Sequence, residues 1–504
     1  FNIAVGTSAL DANTTGDSNI AIGDAALGAN TTASFNTAVG YGSLTDNTTG
    51  TNGTAVGYQS SANNTTGGQN TSIGWNAFGT NTTGSDNTAL GKRALFGNTT
   101  ADNNTSVGTN SMLSNTTGSS NTAVGSLALD ANTTAANNTA IGMQSLSTNT
   151  TGASNTALGM QSLFSNTTAA NNTAVGFQSL RLNTTGASNT AVGKEALPNN
   201  TTGANNVGLG LGALYANTTA SNNTAVGTNS LNANTTGASN SALGVSSLQA
   251  NTTGGSNVAI GQDALYANTT ADNNTAIGKG SMVANTTGTS NTCIGSSSGV
   301  SVTTGDYNVC LGFDAGSHET NLVTGDKNIL IGAFADVLAT DSNAATAIGY
   351  DVNGAAGYTT LGEGASDIRA AHGNVTWATV SDERVKKDIT DSEAGLSFIN
   401  DLRPVTFNFK NKGDLPKEFK GYEEGSDEVY KNSNVNHGFI AQEVKEAIDN
   451  HPELKDGFSM WDVRKTGQQE VGETAVIPVM VKAIQELSTM VDELKQELKT
   501  LKGE

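Results

Sequence analysis

The chain has 504 residues, with 60 Gly, 36% hydrophobic and 13% charged residues, and a net charge of −20. Residues 1–380 carry 7 basic against 19 acidic side chains and residues 381–504 carry 17 against 25, so no basic surface exists to neutralise phosphates and nucleic acid is excluded as a partner. No run of about twenty apolar residues is present, so no membrane insertion is expected. The chain begins in mid-motif at Phe1, and a further N-terminal portion is expected upstream.

From Asn2 to about Phe313 a 17-residue unit, roughly Asn-Thr-Ala-Val-Gly-x-x-Ala-Leu-x-x-Asn-Thr-Thr-Gly-x-x, repeats nineteen times without insertion. A period this strict predicts a solenoid, in which each coil buries apolar side chains only by stacking on its neighbours. Numbered from the first Asn, the fourth position is always aliphatic (Val5, Ile22, Val39, Ile73, Leu90 to Leu311) and the second is β-branched in nearly every coil. Alternation puts these two on one face of a strand, and that face is expected to point into the coil. The third position, always tiny (Ala4, Ser72, Gly208, Cys293), then points outward. Its size implies that a second backbone approaches closely, as in an oligomer of several chains. The fifth position is Gly from Gly6 to Gly312, which suits a corner with positive φ or crowded backbone. Leu or Met follows four residues later, then Asn-Thr-Thr, whose side chains suit turns and stacked hydrogen-bonded rows.

Only Pro198 interrupts the first 380 residues, as expected if nearly every amide joins a ladder. The Asn-Thr-Thr triplets match the N-glycosylation pattern, but so dense an array reads as structural. Adjacent Thr pairs at a turn do not make the flat Thr-x-Thr array that ice binding wants, and singly scattered acids argue against glycoside cleavage in the stem. Cys293 and Cys310, one repeat apart, are within disulfide reach on stacked strands; the simpler reading is two small buried residues in place of Ala. The Asn-Thr-Ala-Val-Gly phrase resembles the head repeats of trimeric autotransporter adhesins, which implies a trimeric parallel β-roll, although the period differs from theirs.

Spacing breaks after Phe313. Asn328–Gly332, Thr346–Gly349 and Thr360–Gly362 are remnants of the unit, and residues 314–380 read as an irregular tip. Tyr350, Tyr358, Arg369, His372 and Trp377 give it more chemical variety than the coils. It serves equally as a cap or as the surface that touches a host cell-surface glycan or protein receptor.

At Ser381 charge rises, Gly falls and globular patterning begins. Ser381-Asp-Glu-Arg384-Val-Lys386, Phe398-Ile-Asn-Asp-Leu-Arg-Pro404 and His437-Gly-Phe-Ile-Ala-Gln442-Glu443-Val444 occur in order. This set resembles the endosialidase-type intramolecular chaperone and autoprotease domain found at the ends of phage tail fibres and tailspikes. The resemblance implies a Ser-Lys dyad that cuts the chain between Val380 and Ser381, with Ser381 as nucleophile, Lys386 as general base, and His437, Arg384, Gln442 and Glu443 supporting the site. From the residues alone, the preferred reading is Ser381 as an N-cap, with Arg384 and Lys386 on a solvated face. No cofactor or metal is called for.

Finally, Met480, Ile484, Leu487, Val491, Leu494, Leu498 and Leu501 alternate by four and three, an a/d heptad seam flanked by Glu and Lys. A helix packed on its own domain would show the same spacing. Near-identical coils could mispair by any multiple of one unit, so a terminal clamp that registers three chains answers a problem the repeat creates. The expectation is therefore mainly β. A trimeric parallel β-solenoid stem (1–313) and an irregular tip (314–380) precede an α+β chaperone domain (381–479) and a coiled-coil helix (480–504). The function expected is a virion-borne, extracellular phage tail fibre, a homotrimer joined upstream to other phage tail proteins. The alternative is a bacterial trimeric cell-surface adhesin.

Overall fold

The computed structural model describes residues 1–374, 377–379, 381–419, 421–454 and 458–503. The chain divides into two compact units, Phe1–Val380 and Ser381–Glu504.

The first unit is a parallel β-solenoid with one three-residue strand per coil, from Ile3–Val5 to Val309–Leu311. Each strand pairs with the next in register at an offset of 17 residues, as Thr156 with Thr173 and Ala157 with Ala174. The fold class agrees with the expectation; the orientation of the strand faces does not. Position three lies inside the coil: Ala21, Ala38, Ala89 and Ala157 are completely buried. Position four points out, with Ile22, Ile73, Leu90 and Leu158 exposed by about two-fifths. Position three is tiny because its own coil is narrow, not because another chain approaches it. At Gly208 an added Cβ would lie 2.6 Å from the Cδ1 of Leu197.

The interior holds position three, the Ala or Ser at eight, the Leu at nine, and two rows of Asn. In one row each Asn of the Asn-Thr-Thr triplet donates to the amide oxygen of the preceding coil, unbroken from Asn13 to Asn285 at 2.7–3.1 Å. Such bonds keep buried amides satisfied where water cannot reach. These Asn side chains are the ones a glycosylation motif would use; from Asn30 to Asn285 they are buried, and from Asn30 to Asn268 both ends of the amide are engaged by the row. The row stops where Val302 replaces Asn, which leaves the Asn285 Oδ1 without a partner. In the second row the position-one Asn receives the next coil's N–H, as Asn155 N to Asn138 Oδ1 at 2.9 Å.

Cys293 and Cys310 stack in register as free, buried thiols. Gly299 and Gly316 stand where other coils place Leu, and a Cβ there would lie 2.7 and 2.9 Å from the respective sulfurs. The larger thiol thus takes up part of the space that a Leu fills in other coils.

Beyond Phe313 the coils continue. Ile329–Ile331, Thr346–Tyr350 and Tyr358–Glu363 extend the parallel sheet, and the antiparallel strands Ser366–Ala371 and Ala378–Thr379 close it. Closing a sheet with a short antiparallel ribbon blunts its edge.

The second unit packs three helices, α1 (Leu396–Asp401), α2 (Ala441–Asn450) and α3 (Ile477–Lys502), with two small antiparallel ribbons. Phe398, Val444, Ala447, Met460 and Val479 form its core. The Leu396 N–H at the start of α1 donates to Glu486 of α3 at 2.7 Å, so one helix caps another. Met480, Ile484, Leu487, Val491, Leu494, Leu498 and Leu501 are all exposed, so the heptad seam does not pack on its own unit. Within Glu473–Lys502 one 18-residue window reaches a mean hydropathy of 1.2, with Lys482 and Glu486 interrupting its apolar residues.

Candidate functional site

The second unit opens with a bent backbone. Asp382 is extended, Glu383–Val385 form one 3-10 turn, and Lys386 is extended again. Asp382 caps the turn by accepting the Arg384 N–H at 2.9 Å, and its carboxylate also takes the Arg384 guanidinium at 2.9 and 2.6 Å. The Arg384 hydrogen bonds hold the Asp382 carboxyl below its ordinary range. This turn folds five residues back on themselves, and Lys386 Nζ donates to Ser381 Oγ at 2.7 Å. The N-cap is Asp382, not Ser381, which leaves the serine hydroxyl free for the lysine. Val380, the other side of the expected cut, lies outside the described residues.

The other expected site residues sit elsewhere. His437 is exposed on the strand Asn436–Gly438, paired with Thr406. It lines a cleft of about 410 Å³ with Pro404, Thr406, Phe439 and Glu473. Among the described residues no hydrogen bond joins it to Ser381 or Lys386. Arg384 is bound to Asp382. Gln442 is exposed at the start of α2, and Glu443 is ion-paired with Arg403, which pins α2 to the segment after α1.

A Ser hydroxyl attacks a carbonyl only when a base removes its proton, and a lysine serves as base when burial disfavours its charge. Ser381 and Lys386 are both exposed. The single chain therefore brings the two reactive atoms together without supplying the desolvated surroundings.

In the first unit, Tyr350 is exposed at one end of an edge-to-face aromatic row, 5.6 Å from Phe334, which stands 5.4 Å from Phe313. Arg369 lies over the Tyr358 ring at 5.5 Å. Of the five expected contact residues, Arg369 alone lines the nearby cleft of about 420 Å³, with Glu319, Asp351, Asn353 and Asp367. His372 and Trp377 are exposed.

Two arrangements escaped the sequence. Asp336, at the position where coils carry Leu, is completely buried, and its Oδ2 accepts the N–H groups of His318, Glu319, Thr320 and Asn321 at 2.9–3.2 Å. One carboxylate thus folds the three-residue insertion that breaks the period. In the second unit His451 is buried, with Nε2 2.9 Å from Asp401 and Nδ1 2.8 Å from Glu453, against the edge of Phe398. Burial works against its charged form, but hydrogen bonds to Asp401 and Glu453 outweigh that and raise its pKa above the ordinary 6.5.

Residues 381–452 match the family Peptidase_S74, chaperone of endosialidase. The match begins at the residue where the fold changes and where the Ser-Lys contact lies. No curated protein matches the chain in sequence. A β-solenoid stem followed by an endosialidase-chaperone domain fits a fibre-type protein.

Proposed function

We propose that the chain is one of three identical strands of a phage tail fibre, whose second unit registers the stem and then cuts itself off before Ser381. The observation that carries this reading is the coincidence at Ser381 of the unit boundary, the start of the family match and the 2.7 Å contact from Lys386. Two exposed apolar features support association: the aliphatic row at position four, and the a/d seam of α3. Monomeric proteins rarely leave contiguous apolar surface of this extent in water.

The chemistry balances within the chain. Ser381 Oγ attacks the carbonyl carbon of Val380 while Lys386 accepts the hydroxyl proton. The C–N bond breaks, the proton passes to the departing Ser381 nitrogen, and an ester joins residue 380 to Ser381 Oγ. Water hydrolyses the ester, leaving a carboxylate at 380 and a free amine at Ser381. Neighbouring chains clamped by α3 would supply the desolvation that the lone site lacks, coupling the cut to assembly. The tip, with Tyr350, Tyr358, Arg369, His372 and Trp377, then takes the role of receptor contact.

Native mass spectrometry of the full chain carrying Ser381→Ala tests the assembly. Three copies are expected, and a monomer with an intact stem would overturn it. In the rival reading, a bacterial trimeric adhesin, the end unit only trimerises, and the unsubstituted chain stays whole.

A further inference from the structure

We infer that the side of the stem formed by Tyr41, Tyr58, Trp75 and Lys92 binds an extended anionic saccharide, one bearing carboxylate or sulfate groups. These residues occupy position six, directly after the corner glycine, in four successive coils. All four are exposed, the aromatic ones by about half. Down the stem this row changes freely, from Asp24 through Tyr41 and Lys92 to Thr109 and Met143. The position-four row, by contrast, is aliphatic in all nineteen coils. A row packed against copies of the same chain throughout its length would be held to one kind of side chain. Position six is not, so it faces solvent.

Within this row the aromatics are consecutive. The Tyr41 and Tyr58 rings stack at 5.3 Å and 11°, and Trp75 follows one coil on. Backbone bonds tie each rung to the next: Gln59 N to Tyr41 O at 2.8 Å, Asn76 N to Tyr58 O at 3.0 Å, and Arg93 N to Trp75 O at 2.9 Å. The platform is therefore pre-organised, which lowers the ordering cost of binding. Its rungs recur at about 4.8 Å, close to the rise of one pyranose unit in an extended chain. Aromatic faces suit the C–H faces of sugars, since both are apolar slabs with polar rims.

Charge selects the class of sugar. Seven Lys and Arg side chains serve residues 1–380, and two of them, Lys92 and Arg93, are neighbours at the end of this row. Lys92 Nζ lies 5.3 Å from the Trp75 ring centre and Arg93 Cζ lies 4.7 Å from that of Phe96. Among the described residues Lys194 is the only Lys or Arg of this unit held in an ion pair. Lys92 and Arg93 thus keep their charge for an outside anion. Single-stranded nucleic acid would also stack on aromatics, but it brings a phosphate at every residue, more charge than Lys92 and Arg93 can match, whereas a saccharide with one or two anionic groups along the platform meets them.

The test presents uronate, sialylated, sulfated and neutral oligosaccharides on an array to the full-length protein, with competition by single-stranded DNA. Binding confined to anionic chains is expected. Trp75→Ala and Tyr58→Ala should each weaken it at least tenfold, whereas Tyr58→Phe retains it and shows that ring loss, not unfolding, is responsible. Lys92→Gln should weaken binding and flatten its salt dependence, and Tyr215→Ala, at an exposed aromatic of a distant coil, should leave it unchanged. The uronate, sialylated and sulfated spots distinguish carboxylate from sulfate as the group recognised. No bound saccharide, equal binding of neutral chains, displacement by DNA, or binding indifferent to Trp75→Ala would overturn the assignment.

Discussion

Lys386 reaches Ser381 across 2.7 Å, yet both side chains stand in water. For the proposed cleavage, contact without burial means that the pair would still need its surroundings supplied. Under the proposed cleavage the unsubstituted protein should give two pieces on a denaturing gel, and Ser381→Ala or Lys386→Met only the full-length chain. Leu494→Asp, on the exposed seam of α3 and outside the dyad, should slow the cut as well. Unchanged cleavage in Leu494→Asp would uncouple the reaction from assembly.

His451 bridges α1 to the segment after α2 through Asp401 and Glu453. Its folded pKa is raised above the ordinary 6.5, so its stabilising contribution is full below that value and fades as pH climbs through the raised one. Hydrogen exchange of α1 amides should therefore accelerate beyond the intrinsic rate as pH rises above about 6.5. In His451→Gln that extra, pH-dependent increment should vanish. An identical increment in the variant would show that another group titrates.

Glycines in the stem are not equivalent. Gly159 has φ +134°, and a Cβ there would lie 2.5 Å from the Gly176 carbonyl oxygen. Gly159→Ala should cost about 1–3 kcal/mol through combined strain and overpacking, read as a lower denaturation midpoint. At Gly28 the closest atom would be 3.4 Å away, and Gly28→Ala should change stability by less than about 0.5 kcal/mol.

Asp336 gathers four N–H groups from the loop His318–Asn321 onto one oxygen. Asp336→Leu restores the side chain that most coils place there but strands those donors. Amide exchange at residues 318–321 should rise at least tenfold, while coils before Phe313 keep their protection. Unaltered exchange at those amides would show that the loop holds its shape without the carboxylate.

The period, the corner glycines and the heptad spacing were legible because each is a local pattern; the Ser-Lys pair was legible only through the family resemblance. Alternation along Thr37-Ala38-Val39 separates two faces, but it does not say which one is inside. Bulky aliphatic residues look like core until the coil proves too narrow to admit them. The smallness of position three correctly signalled a close neighbour, and that neighbour is the chain itself. Asp336 and His451 were invisible for another reason. Their partners lie 15–18 and 50 residues away, with Glu453 alone nearby, and no sequence spacing announces such a meeting.

The amide row from Asn13 to Asn285 makes the same bond at every step. A gene that gains or loses one unit by unequal recombination therefore yields a protein in which every rung is remade, longer or shorter by about 4.8 Å. Reach becomes a heritable dial, turned in discrete clicks, while everything beyond Phe313 is inherited untouched.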